Sequence, residues 1–234
     1  RVLALAPNLR GAENAIKAGV TSIGFPLSVS ETHSLKNLRQ THDQAIENVA
    51  AIANLIKQQP EGQRPEFEGA LSTAFGCSIE GNIDEDLVVR LGERLVAAGV
   101  DELGLSDTVG YASPKSVKSL IRKVRAACGE DKVKSVHLHN TYGLGIANAF
   151  AAYEENISTF DSSLGGLGGC PASPGASGNI VTEDLVFMFE RMGVKTGIDL
   201  DALIACRKYL AEGLPGEPVY GMTPGAGLPK GFKA

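Results

Sequence analysis

Six times along the chain a short β-like run is followed by a helical pattern, and this alternation limits the fold more than any other feature. The strand-like runs are Arg1 to Ala6, Thr21 to Leu27, Glu68 to Phe75, Glu102 to Ser106, Ser135 to His139 and Thr159 to Leu164. Between and after them come helical patterns over Leu9 to Ala18, Ser34 to Gln59, Asp84 to Ala98, Ser113 to Cys128, Leu144 to Glu154 and Thr182 to Met192. Parallel neighbours need a crossover connection, so strand-helix repetition predicts a parallel sheet clothed by helices. Doubly wound sheets and barrels both meet that description. No GxGxxG follows any strand, which removes the dinucleotide fingerprint. The phrase Ala18-Gly19-Val20 returns as Ala98-Gly99-Val100, one helix-to-strand connection used twice. Residues with chemical potential gather where strands end: Ser28, Ser30, Cys77, Asp107, His137 and His139. That is the habit of a (β/α)8 TIM barrel, whose sites lie on the face built by the βα loops. The expected architecture is one α/β TIM-barrel domain over 1–234, with about six of eight βα units and a C-terminal helix and tail over 199–234.

Six units cannot close a ring of eight strands. The expectation is therefore that the first two strands are missing. Arg1 to Ala6 and Thr159 to Leu164 would then lie apart across a gap about two strands wide, roughly 10–15 Å.

Composition narrows the partners. The 234 residues are 43% apolar and 21% charged, enough for a substantial core, and the net charge is −5 with basic residues scattered singly. Neither nucleic acid nor a membrane surface is an expected partner, and no apolar run reaches the roughly 18 residues of a membrane span. Four cysteines, Cys77, Cys128, Cys170 and Cys206, stand far apart without a CxxC. A reducing, cytoplasmic setting is the default for such a pattern.

The chemistry concentrates in Val136-His137-Leu138-His139-Asn140-Thr141-Tyr142-Gly143 and in the loop Gly165 to Asn179. Side chains alternate across a strand, so His137 and His139 share one side and can grip one object. A single buried histidine is usually a hydrogen-bonded core residue, but two of the chain's four spaced i, i+2 at a strand end point to metal or substrate binding. The loop holds six glycines in fifteen residues. Glycines interleaved with prolines set particular backbone angles, and a loop of this length in a compact domain is usually functional rather than a hinge. Asp107 is either a turn carboxylate or a functional acid. The Asn179 amide either supports the start of the Thr182 helix or ligates a hard cation. Cys170 beside a cationic site is a candidate proton donor, because nearby positive charge lowers a thiol's pKa.

Ser106-Asp107-Thr108-Val109-Gly110, the His137 to Gly143 run, Gly165-Gly166-Leu167-Gly168-Gly169-Cys170-Pro171 and Gly175 to Asn179 with Thr182-Glu183-Asp184-Leu185-Val186 resemble the 3-hydroxy-3-methylglutaryl-CoA lyase family. Weaker likeness extends from Ala6-Pro7-Asn8-Leu9-Arg10-Gly11 through Phe75-Gly76-Cys77 over most of the chain. The loop is the specific part; the His-x-His alone indicates only the wider superfamily of metal-dependent aldolase and lyase barrels. The resemblance implies an acyl-CoA substrate, a homodimer, and Mg²⁺ or Mn²⁺ held by His137, His139 and Asn179. It also implies Cys170 as the loop thiol assisting proton transfer and Asp107 as an acid/base residue near the substrate hydroxyl, with His137 a second carrier of that proton. The chain departs from the family pattern at Asn140, where an acidic residue is usual, and at His33, and the family's Arg-Asp pair and glutamate have no counterpart in it. A lyase acting on another 3-hydroxyacyl-CoA such as citramalyl-CoA, a Claisen-type synthase, and a noncatalytic metal-binding barrel are the alternative expectations.

Overall fold

The computed structural model describes residues 1–169 and 178–232. Six strands form one parallel sheet in sequence order: β1 (Leu3–Leu5), β2 (Ser22–Ser28), β3 (Glu66–Ser72), β4 (Glu102–Asp107), β5 (Val133–Leu138) and β6 (Thr159–Asp161). Every neighbouring pair is parallel, with Ser28 beside Ser72, Leu71 beside Leu105, Ser106 beside His137 and His137 beside Asp161. The first helices are α1 (Leu9–Lys17), α2 (Glu31–Asn37) and α3 (His42–Lys57), and the next are α4 (Glu85–Ala98), α5 (Pro114–Cys128), α6 (Gly145–Glu154) and α7 (Thr182–Arg191). The sheet is a curved, partial barrel clothed by helices: among the described residues β1 pairs only with β2, and β6 only with β5.

The two faces of the sheet differ in chemistry. Phe25, Leu27, Phe67, Leu71, Leu103, Leu105, Val136 and Leu138 are buried in one core with Val49 and Ile52 of α3, Leu91 and Leu95 of α4, and Leu120 and Ile121 of α5. Each such side chain contributes about 1.5–3 kcal/mol on burial. The opposite face, the barrel lumen, carries Gly24, Pro26, Glu68, Ala70, Ser72, Gly104, Ser106, Ser135, His137 and Asp161. A Cβ on Gly69 would meet Leu95 and Leu103, whereas one on Gly104 would meet Glu68 and Ser135, which identifies the two sides. An apolar exterior thus anchors the strands and leaves a lumen of small and polar groups.

Helix ends follow local sequence. Asn8 accepts from the Gly11 N–H at 2.9 Å, Asp84 accepts from the Asp86 N–H, and Ser113 with Ser116 closes a capping box behind Pro114. Gly99 ends α4 in the left-handed region at φ 110°, and Gly19 follows α1 at φ 76°, so the repeated Ala-Gly-Val phrase marks the same helix-to-strand turn twice.

Three expectations are corrected. The single helix over Ser34 to Gln59 is two, α2 and α3, broken where Arg39 adopts φ 57° and Thr41 opens a capping box with Gln44. The last strand stops at Asp161, because Leu164–Gly166 form a 3-10 turn in which Gly165 sits at φ 63°. In place of one C-terminal helix there are α8 (Leu200–Ala205), α9 (Arg207–Gly213) and α10 (Met222–Ala226). The run Gly213-Leu214-Pro215-Gly216 ends α9, and α10 is tied to α7 where Asp184 accepts from the Met222 and Thr223 N–H groups. No helix among the described residues is long and apolar enough to cross a membrane.

Candidate active site at the mouth of the lumen

His137 and His139 leave the end of β5 on the lumen side, with their Nε2 atoms 3.2 Å apart. Two ligands in cis positions on an octahedral ion at about 2.1 Å would stand about 3 Å from each other, so this spacing suits a shared cation. An antiparallel bridge joins His139 to Asn179, which brings the end of the glycine-rich loop against the pair. The Asn179 Nδ2 donates to the carbonyls of Leu167 at 2.7 Å and Gly168 at 3.3 Å, which fixes the amide's orientation. Its Oδ1 is buried with no hydrogen-bond partner among the described residues, and so is Nδ1 of His139. Buried polar atoms are rarely left unpaired. The first turn of α7 is preceded by Val181 rather than capped by Asn179, so the capping alternative for that amide falls away.

Burial pushes the His139 imidazole down to about 4, with the like charge of His137 acting in the same direction. His139 is therefore neutral at physiological pH, the form that ligates metal. Among the described residues no three His, Cys, Asp or Glu side chains gather to hold an ion. The donor set available is two imidazoles and one amide oxygen, a mixture that fits a hard divalent cation completed by substrate or water oxygens better than a thiolate-rich zinc site.

These groups open into a lumen cavity of about 700 Å³ lined by Glu68, Ser72, Ser106, Ser135, Asp161 and Gly168 among others. A second cavity, about 790 Å³, lies outside the barrel against α6, β6 and α7, and Leu185, Phe160 and Phe189 make its walls mainly apolar. Both histidines, Glu68 and Asp161 line the lumen cavity, so the lumen is the candidate site.

Asp107 ends β4 fully buried. Its Oδ1 accepts from the Tyr111 N–H at 2.9 Å and its Oδ2 from the Ala112 N–H at 3.0 Å, which turns the carboxylate into the β4–α5 turn. Burial pushes its pKa up to about 6, while the backbone N–H groups of Ala112, Tyr111 and Gly110 pull the other way. The turn-carboxylate geometry expected as one alternative is present. The contact with the histidine pair is main chain, the His139 backbone N–H donating to the Asp107 carbonyl at 3.2 Å, and Ser106 and Thr108 on either side of Asp107 line the cavity. Cys170 lies outside the described residues.

Asp161 and Glu68 were not singled out by motif. The Asp161 Oδ2 lies 3.3 Å from Nδ1 of His137, and Glu68 accepts from the Ser135 hydroxyl deeper in the lumen, with burial raising its pKa. The signal for both was strand parity: Glu68 is in step with Ala70 and Ser72, and Asp161 pairs with His137. Asn140 accepts from the Gly145 N–H at 2.9 Å and so supports the start of α6. His33 sits at the ends of β2 and β3, its Nδ1 2.7 Å from the Ser28 hydroxyl, which is 3.1 Å from that of Ser72.

The loop's base is held from behind. Glu183, fully buried on α7, accepts from the Gly165 N–H at 3.1 Å and pairs with Arg207, which also donates to the Tyr220 carbonyl at 2.7 Å. The Tyr220 N–H donates to Gly165 in turn at 2.8 Å.

The HMGL-like family profile matches residues 2–210. A hydroxymethylglutaryl-CoA lyase of Bacillus subtilis is 37% identical over 216 residues, covering 92% of this chain and 70% of its own. An (R)-citramalyl-CoA lyase of Chloroflexus aurantiacus is 39% identical over 227 residues, covering 97% and 70% respectively. Among solved structures, an HMG-CoA lyase of Acinetobacter baumannii in complex with coenzyme A and 3-methylmalate superposes with TM-score 0.89 at 40% identity, over 99% of this chain and 74% of that one.

Proposed function

Since the chain belongs to the HMGL-like family and is a lyase of the hydroxymethylglutaryl-CoA lyase type, we propose that it cleaves 3-hydroxy-3-methylglutaryl-CoA to acetyl-CoA and acetoacetate with the help of Mg²⁺ or Mn²⁺. What supports this reading is the 3.2 Å approach of the His137 and His139 Nε2 atoms beside a lumen cavity of acyl-group size that Asn179, its amide oxygen unpaired among the described residues, also lines. These three residues would hold the cation, which when bound supplies Lewis acidity and a template for the substrate's hydroxyl and carboxylate.

The reaction needs three things of the protein. The C3 hydroxyl must lose its proton, the bond between C2 and C3 must break with its electrons passing to the thioester enolate, and that enolate must be protonated at carbon. Asp107, poised near 6, is the residue assigned to the hydroxyl proton, because a His137 that holds the cation through Nε2 and carries its proton on Nδ1 has no nitrogen left to accept one. Cys170 is assigned to deliver a proton to the departing enolate. The lumen serines Ser106 and Ser135 give the acyl chain hydroxyl partners without bulk.

Citramalyl-CoA is the second reading, supported by the 39% identity to a lyase named for it. Its acyl group has the same tertiary hydroxyl at C3 and one methylene less before the carboxylate, so the same groups would act. Incubating the protein with Mn²⁺ and each thioester, and following acetyl-CoA release, separates the two. Acetyl-CoA with acetoacetate supports the first reading, acetyl-CoA with pyruvate the second, and no release from either removes both.

A further inference from the structure

The carboxylate of Asp161 meets His137 at Nδ1, while His137 meets His139 at the opposite ring nitrogen, Nε2. The two residues are register partners on adjacent parallel strands, β5 and β6, and both line the lumen cavity. An imidazole cannot turn both nitrogens to one point. Asp161 therefore stands on the far side of the His137 ring from the place where His137 and His139 converge, and it is no member of the donor set there.

We propose that Asp161 is a positioning residue for His137, an assignment that rests on the metal reading above: its Oδ2 accepts the His137 Nδ1 proton and so presents an unprotonated Nε2 to the cation. A carboxylate or carbonyl behind a ligating histidine fixes tautomer and ring angle and raises the basicity of the ligand, and its loss typically weakens metal binding about 10- to 100-fold. Asp161 suits the task because β6 sets its backbone, while its side chain, like that of His137, is partly open to solvent and makes no second hydrogen bond among those the structure describes.

The test reads tautomer and metal affinity rather than turnover. In metal-free protein, ¹⁵N chemical shifts of labelled histidines should show His137 protonated at Nδ1. Asp161→Ala should abolish that preference, and Asp161→Asn, which keeps an acceptor oxygen, should retain it. In a Mn²⁺ titration followed by electron paramagnetic resonance, Asp161→Ala should bind about 10- to 100-fold more weakly and Asp161→Glu should recover most of the loss. A His137 that keeps its Nδ1 proton in Asp161→Ala, together with Mn²⁺ affinity within twofold of the unsubstituted protein, would overturn the proposal. If the unsubstituted protein binds no Mn²⁺, the metal reading fails and takes the ligand-presenting role with it, whereas the tautomer shifts still decide whether Asp161 orients the ring.

Discussion

Replacing Asp107 by Asn converts its buried charge into a measurable pH dependence of stability. The Asp107 carboxyl titrates at about 6 in the folded protein against 3.8 for an ordinary aspartate, so the native state holds the proton more tightly than the unfolded chain between those values. The sign follows from linkage. A raised acid contributes stability that is fully present below the unfolded pKa and is lost as pH climbs through the folded pKa. A displacement of about two units corresponds to about 3 kcal/mol. About 2 kcal/mol of it should disappear between pH 4.5 and 7.5, because at pH 4.5 the unfolded carboxyl is already mostly ionised. Asp107→Asn cannot titrate. Its amide keeps one acceptor for the Tyr111 and Ala112 N–H groups and leaves the other N–H facing an NH₂, a fixed cost of about 1–3 kcal/mol at every pH. The variant should therefore be clearly less stable than the unsubstituted protein at pH 4.5, and the gap should narrow by about 2 kcal/mol at pH 7.5. Urea unfolding of both proteins in EDTA across that range measures the gap, and the titration of other groups cancels in the difference. A gap constant to within about 0.5 kcal/mol would mean that the carboxyl is unshifted and that hydrogen bonds from the turn outweigh burial.

Arg207→Met strands the fully buried Glu183 and should cost about 3–5 kcal/mol in denaturant unfolding; the double variant with Glu183→Gln should cost markedly less, and equal losses would show that the pair is not coupled. Gly104→Ala drives a methyl into Glu68 Oε1 and to 2.7 Å from Ser135 Oγ, so a loss of about 1–3 kcal/mol in thermal unfolding is expected, relieved in a Glu68→Ala background. Cys170→Ser should lower kcat and kcat/KM together by about 10²- to 10⁴-fold, and unchanged turnover would take the thiol out of the proton path.

The repeating units were legible because periodicity survives in sequence: Leu91 and Leu95 on α4 and Val117, Leu120 and Val124 on α5 recur at helical spacing and are buried as that spacing requires. The break between α2 and α3 escaped because apolar periodicity runs on past it. The signals that mark it, Thr41 with Gln44 three residues later and an arginine in the left-handed region, are local and polar. The C-terminal segment after Asp199 was misread for the opposite reason. Its helices are short, and α9 buries none of its residues, so tertiary ties such as Asp184 to the Met222 N–H set their ends.

The site was legible to the depth of its motifs and no further. His137, His139 and Asn179 carry their chemistry in their identity and spacing, whereas Asp161 and Glu68 acquire theirs from neighbours that are distant in sequence, 24 residues away for Asp161 and His137 and 67 for Glu68 and Ser135. Parity along the strands is the rule that connects the two sets. On β3, Phe67 and Leu71 face the helices while Glu68 lines the lumen; on β5, Val136 and Leu138 do the former and Ser135 and His137 the latter. Stability and chemistry are thereby placed on alternate residues of the same strands. The outward set can be repacked with apolar groups of similar volume at a cost of under about 1.5 kcal/mol without touching the lumen. A one-residue slip of β5 against β4 would exchange the sets, burying His137 among leucines and turning Val136 into the site. The register of Ser106 beside His137 is consequently as much a part of the active site as the imidazole itself.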